Sequence, residues 1–136
     1  MIVVDECLAK SKDSQTKEIN KLKLILELRK IGFGANHKGT WRIVDLISYC
    51  HLKGIVEIDS LERLYKEYTK YANIRYTDRF KWNIQDSIDY MEDNPYKDKS
   101  LLCSIFIEYK YYETCSVLKF LNALIDYVEL NIDKYT

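Results

Sequence analysis

From Val117 to Val128 the apolar residues Val117, Leu118, Leu121, Leu124, Ile125 and Val128 recur at helical spacing. That period commits the segment to a helix with one face buried. The same spacing runs through Leu22, Leu24, Ile25, Leu28 and Ile31, then Leu61, Leu64, Tyr65 and Tyr68, then Phe80, Ile84, Ile88 and Met91. A further helix is expected from Trp41, with Trp41, Val44, Leu46 or Ile47, and Cys50 inward, and a short one around Leu101, Leu102, Ile105 and Phe106. The reading is an all-α fold, a compact domain of roughly six helices.

Punctuation divides these helices. Gly32 and Gly34 can end the first, Thr40 can cap the second, and Gly54 stands at its far end. Asp59 or Ser60 can cap the third, and Thr77 the fourth, after the connection 72–76. Asp93-Asn94-Pro95 signals a turn, and Thr114 or Ser116 can start the last helix. The segments 61–71 and 77–91, joined by a short turn, make a helix-turn-helix candidate. Residues 1–20 read as a flexible arm or linker, and 21–136 as one domain, since 136 residues leave too little for two cores.

With 47% apolar and 31% charged residues, the chain has material for a core. Its longest apolar runs, such as Met1-Ile2-Val3-Val4, are far shorter than a membrane span, and the opening lacks a basic leader. A cytoplasmic protein without membrane partners is expected. Cys7, Cys50, Cys103 and Cys115 lack the close spacing of a zinc knuckle or redox pair, so they read as free thiols, with Cys50 and Cys103 in the core.

The formal charge is zero, but unevenly placed. Residues 10–81 hold 16 Lys/Arg against 9 Asp/Glu, and residues 91–136 hold 5 against 8. A nucleic acid would meet the first segment.

Enzymatic readings find little support. His37 and His51 are the only histidines and form no ligand pair, and adjacent Cys50 and His51 project about 100° apart on a helix. The loop of Gly32, Gly34 and Gly39 lacks the order of a Walker phosphate loop, because Lys38 precedes Gly39. No catalytic residue, cofactor or metal is expected. The fourth helix offers instead Asp78, Arg79, Lys81, Trp82, Gln85, Asp86 and Asp89 on its polar side. Arg or Lys can read guanine in the major groove and Gln can read adenine, while the acids oppose phosphate. Trp82 can pack, contact a thymine methyl or meet a protein partner. Lys38 and Arg42 can add phosphate contacts at the entrance of the second helix, and Lys53 can extend that surface. His37 is read as loop polarity or as a DNA or partner contact, and Tyr109, Tyr111 and Tyr112 as packing residues.

In order and spacing, three segments resemble the C-terminal DNA-binding domain of the stage-zero sporulation response regulator of spore-forming Firmicutes. IGFGANHKGTWRIVDLI carries Gly32, Ala35, Lys38, Gly39 and Ile47, with Asp45 in place of a glutamate. TDRFKWNIQDSI carries Arg79, Ile84 and Ile88, and FLNALIDYVEL carries Phe120 and Asp126. The resemblance spans roughly residues 22–130. It implies a stand-alone, sequence-specific double-stranded DNA-binding regulator of transcription, with a homodimer on adjacent half-sites. It gives Arg79 a major-groove role and Lys38 a backbone contact, while Trp82, Gln85 and Asp86 depart from the family's basic and histidine character. The receiver domain that usually precedes this module has no counterpart in residues 1–20. The competing expectations are a protein-interaction module that binds a related regulatory protein, and a plasmid or phage replication or partition factor.

Overall fold

A computed structural model describes residues 17–112 and 115–136, with the Tyr112 side chain left out. Residues 1–16, most of the expected arm, and Thr114, one of two expected helix starts, lie outside the described residues. Among the described residues the fold is all-α, with no strand. Seven α-helices follow in order: α1 (Lys21–Lys30), α2 (Lys38–Lys53), α3 (Leu61–Tyr71), α4 (Thr77–Asp93), α5 (Lys99–Ile105), the single turn α6 (Tyr109–Tyr112) and α7 (Val117–Leu130). A 3-10 turn at Ile132–Lys134 closes the chain.

The hub is α2. It buries Ile43, Val44, Leu46, Ile47, Tyr49 and Cys50, which occupy more than one side of the helix. Accordingly α2 packs against α4 most extensively, and also against α1 and α7. Against it α4 turns Phe80, Ile84, Ile88 and Met91, all four fully or almost fully buried, as their spacing predicts. From α7 come Phe120, Leu121, Leu124, Ile125 and Val128.

Three expected core positions differ. Leu22 and Trp41 are exposed, and Cys103 is half-buried where Cys115 is buried. Leu22 lies about 120° around α1 from Leu28, off the stripe formed by Leu24, Ile25 and Leu28. Trp41 lies across the surface and donates its indole N–H to the Ala35 carbonyl at 2.9 Å.

Two helix starts also differ. Ser60 and Ser116 cap α3 and α7 through their hydroxyls. Thr40 and Thr77 are not caps: α2 starts at Lys38 after His37, and α4 at Thr77 after Tyr76, neither with a side-chain cap bond. A Cβ at Gly39 would lie 1.8 Å from the Asn83 carbonyl oxygen and 2.7 Å from Ser87 Cβ, so the first turn of α2 rests on the backbone of α4.

The last residues of the expected arm are anchored to the body. Ile19 is buried, the Asn20 backbone N–H donates to the Tyr135 carbonyl at 2.6 Å, and the Asn20 side chain caps α1.

Candidate nucleic-acid interface

The segment 61–93 forms a pair of helices whose mutual position is fixed by aromatic packing. Tyr65 meets Phe80 edge-on at 5.5 Å between ring centroids, and Tyr68 lies 5.4 Å from the same ring. Asn73, with φ 58°, lets the chain leave α3, and the Ile74 N–H donates to the Thr69 carbonyl at 2.7 Å. The Thr69 hydroxyl donates to the Tyr65 carbonyl and lies 3.4 Å from that of Thr77 at the start of α4.

Held in this way, α4 exposes the side opposite Ile84. Arg79, Trp82, Gln85, Asp86 and Asp89 are all on it, and Trp82 is 74% exposed. The six residues singled out from the sequence fall into different environments. Arg79 is exposed, with its guanidinium 5.5 Å from the centre of the Tyr76 ring. Lys81 is half-buried and pairs across to Glu62 of α3 at 3.4 Å. The Gln85 amide donates to Asp89 at 3.0 Å. Arg42 is half-buried, its guanidinium 5.6 Å from the centre of the Phe80 ring. Lys38 is exposed at the start of α2, where Gly39 meets Asn83. His37 packs against Tyr90 with the ring centroids 4.3 Å apart and the planes tilted by 48°, which places the start of α2 beside the second half of α4. Lys53 lies over Tyr71 and Tyr49, at 5.2 and 5.9 Å, away from this group.

The two halves of α4 differ in charge. Its first half carries Asp78, Arg79 and Lys81, and its second half carries Asp86, Asp89, Glu92 and Asp93. Burial raises the Glu92 carboxyl above the ordinary carboxylate range, helped by Asp89 and Asp93 and opposed by the Cys115 backbone N–H and Lys97. The second half is the more acidic and would repel a polyanion more strongly than the first.

Between α3, α4 and the start of α7 runs an open groove of about 500 Å³, lined among others by Leu61, Tyr65, Trp82 and Val117. Its apolar floor is bordered by Glu62, Asp78 and Lys81.

Sequence reasoning missed a second basic group. Arg63, Lys66 and Lys70 are exposed on α3 at steps of three and four, and Arg75 is exposed in the turn that follows. Their signal in the sequence is the helical spacing of Arg63, Lys66 and Lys70.

Elsewhere the chemistry is quiet. Among the described residues no group of three His, Cys, Asp or Glu could hold a metal ion. Burial pushes the Cys50 and Cys115 thiols up to about 12, which keeps them protonated and unreactive at neutral pH. His51 bonds Glu129 at 2.6 Å and the Lys17 carbonyl at 2.9 Å, tying α2 to α7 and to the entry of the chain. Tyr109 is buried as expected, whereas Tyr111 is exposed. No described helix is long and apolar enough to cross a membrane. No family model matches the chain, and neither a curated protein nor a solved structure gives a significant match to it.

Proposed function

We propose that this protein is a sequence-specific duplex DNA-binding regulator that presents the first turns of α4 to the major groove. The observation that carries the reading is the polarity of α4. Arg79 and Trp82 project from its first half, which holds one acid, Asp78, and four acids, Asp86, Asp89, Glu92 and Asp93, lie in its second. Recognition helices contact base edges chiefly through their amino-terminal turns. A helix inserted by that end keeps Asp86, Asp89 and Asp93 farthest from phosphate. Arg79 would read guanine, Trp82 would pack against thymine methyls, and Gln85 would exchange its bond to Asp89 for an adenine edge. Lys81 would hold α4 to α3 through Glu62. The likeness to the sporulation regulator's DNA-binding domain supports the same assignment, with a homodimer on adjacent half-sites as the expected assembly.

Selection from a pool of random duplexes at two salt concentrations tests this reading. Enrichment of a common motif, weaker binding at higher salt, and loss of the motif in Arg79→Ala are expected. Absence of enrichment by folded protein would sink it.

One observation favours a second reading. Trp82 stands exposed at an apolar groove bordered by Glu62, Asp78 and Lys81, as a protein-binding anchor would. On that reading the chain binds a related regulator. Trp82→Ala would then abolish the protein complex, while Arg79→Ala would leave it intact.

A further inference from the structure

We infer that α3 supplies the phosphate contacts, through an outward stripe of Arg63, Lys66 and Lys70 continued by Arg75. The inference rests on the duplex-binding reading and adds the surface that fixes the protein on the sugar-phosphate backbone.

Three observations carry it. First, the stripe is geometric: residues three and seven positions beyond Arg63 return to the same side of a helix, and all three side chains are exposed. Lys66 is one turn beyond Glu62, the residue that pairs with Lys81, so the stripe begins beside the edge where α3 adjoins α4.

Second, these cations are uncommitted. None of the four makes an ion pair with a described residue. Much of the remaining positive charge is engaged within the molecule. Lys21 pairs with Asp45, Lys30 and Lys134 with Glu27, Lys81 with Glu62, and Lys119 with Glu108. Arg42 and Lys53 lie over aromatic rings, and the Lys97 ammonium donates to two backbone carbonyls.

Third, neither acid of α3 makes an ion pair with the stripe. Glu62 faces Lys81. Glu67 is exposed and lines a shallow cleft with Arg63, Glu57 and Asp59. Glu67 stands four residues from Arg63 and three from Lys70, and it pairs with neither. Arg63, Lys66, Lys70 and Arg75 are four cations against the two acids of α3, on a chain with no net charge.

A phosphate therefore meets cations here that need break no internal ion pair. Each phosphate neutralised on B-DNA releases counterions and adds about 0.9 to the slope of log K against log salt. Such contacts position the protein without reading sequence. This division assigns register to α3 and base choice to α4.

The test compares the full chain with a triple variant, R63Q/K66Q/K70Q, and with K23Q/R29Q/K99Q, which removes three other exposed cations. Glutamine retains helix propensity, and circular dichroism checks that both variants fold. Duplex affinity is measured from low to moderate salt on the selected motif and on an unrelated duplex. The α3 variant is expected to bind both duplexes more weakly, to lower the slope by about 2–3, and to keep the motif preference. The control variant is expected to retain nearly the whole slope. An equal slope in the α3 variant and the unaltered chain would overturn the inference while leaving duplex binding intact. So would an equal drop in both variants, since net charge alone would then explain it. If the unaltered chain binds no duplex, the functional reading fails and this inference falls with it.

Discussion

Gly39 and Thr40 stand side by side in the first turn of α2, and each has a role its residue type alone would misstate. Gly39 reads as loop material, yet it lies in a helix with the Asn83 carbonyl where its Cβ would be. Backbone cannot rotate aside as a flexible side chain can. Gly39→Ala is therefore expected to separate α2 from α4 and to cost at least about 2 kcal/mol in urea unfolding. Gly54 is the useful comparison. It sits at φ 72° with open space around it, so Gly54→Ala carries only the left-handed backbone penalty of about 1–2 kcal/mol. A smaller loss for Gly39→Ala than for Gly54→Ala would contradict the close crossing. Thr40 reads as a cap, but it is fully buried within α2 and its hydroxyl has no hydrogen-bond partner among the described residues. A capping threonine replaced by valine loses about 1 kcal/mol. A buried, unpaired hydroxyl replaced by a methyl group of similar shape loses nothing or gains stability. Thr40→Val is accordingly expected to unfold at an equal or higher urea concentration, and the sign of the shift distinguishes the two roles.

At the scale of elements, α1 is fastened to the end of the chain by a buried acid. Glu27 is 5% exposed, accepts a hydrogen bond from the Tyr127 hydroxyl at 3.1 Å, and lies 3.6 Å from both Lys30 and Lys134. Burial raises its carboxyl, but the Tyr127 hydroxyl, Lys134, the Tyr135 hydroxyl and Lys30 together outweigh that and hold it below the ordinary value of 4.5. A carboxyl lowered by folding contributes stability that is full above its unfolded value and is lost as pH falls through its folded value. Glu27→Gln is expected to cost about 1–2 kcal/mol at pH 7, discounted because both lysines are solvated. The gap between the two proteins should narrow once the pH drops below about 4.5. Urea midpoints at pH 7 and pH 3 measure it, and a gap independent of pH would remove the charged cluster as its cause. This fastening was invisible in the sequence, since Glu27 and Tyr127 are a hundred positions apart. What sequence made legible was periodic: the faces of α4 and α7 follow from spacing because burial on one side selects it. Helix starts were less legible. His37 and Tyr76 begin helices without a side-chain cap, while Thr40 and Thr77, which resemble caps, lie inside. The candidate interface was legible as residue types on α4. Its pairings, Lys81 with Glu62 and Arg42 with the Phe80 ring, depend on how separate helices meet.

For the whole molecule, the two functional readings converge on Trp82, and its optical properties can separate them. The chain has two tryptophans. Trp41 is 40% exposed and bonded to the Ala35 carbonyl, whereas Trp82 is 74% exposed on α4. Trp41→Phe leaves Trp82 as the sole indole and removes one exposed hydrogen bond, for a cost of about 1 kcal/mol. Its emission is expected to be that of a solvated indole in the free protein. Titration with the selected duplex should quench it as the ring stacks against bases or thymine methyls, and added salt should reverse the quenching because phosphate contacts hold the complex together. Docking of a protein partner into the groove has a different signature. The indole would then move into an apolar setting and its emission would shift to the blue, with little response to salt because hydrophobic burial dominates. Trp82→Ala should leave the urea midpoint within about 0.5 kcal/mol of the unaltered chain, since an exposed side chain contributes little to folding. A large loss of stability on that substitution would mean that the indole belongs to the core, and both readings of the α4 surface would lose their anchor.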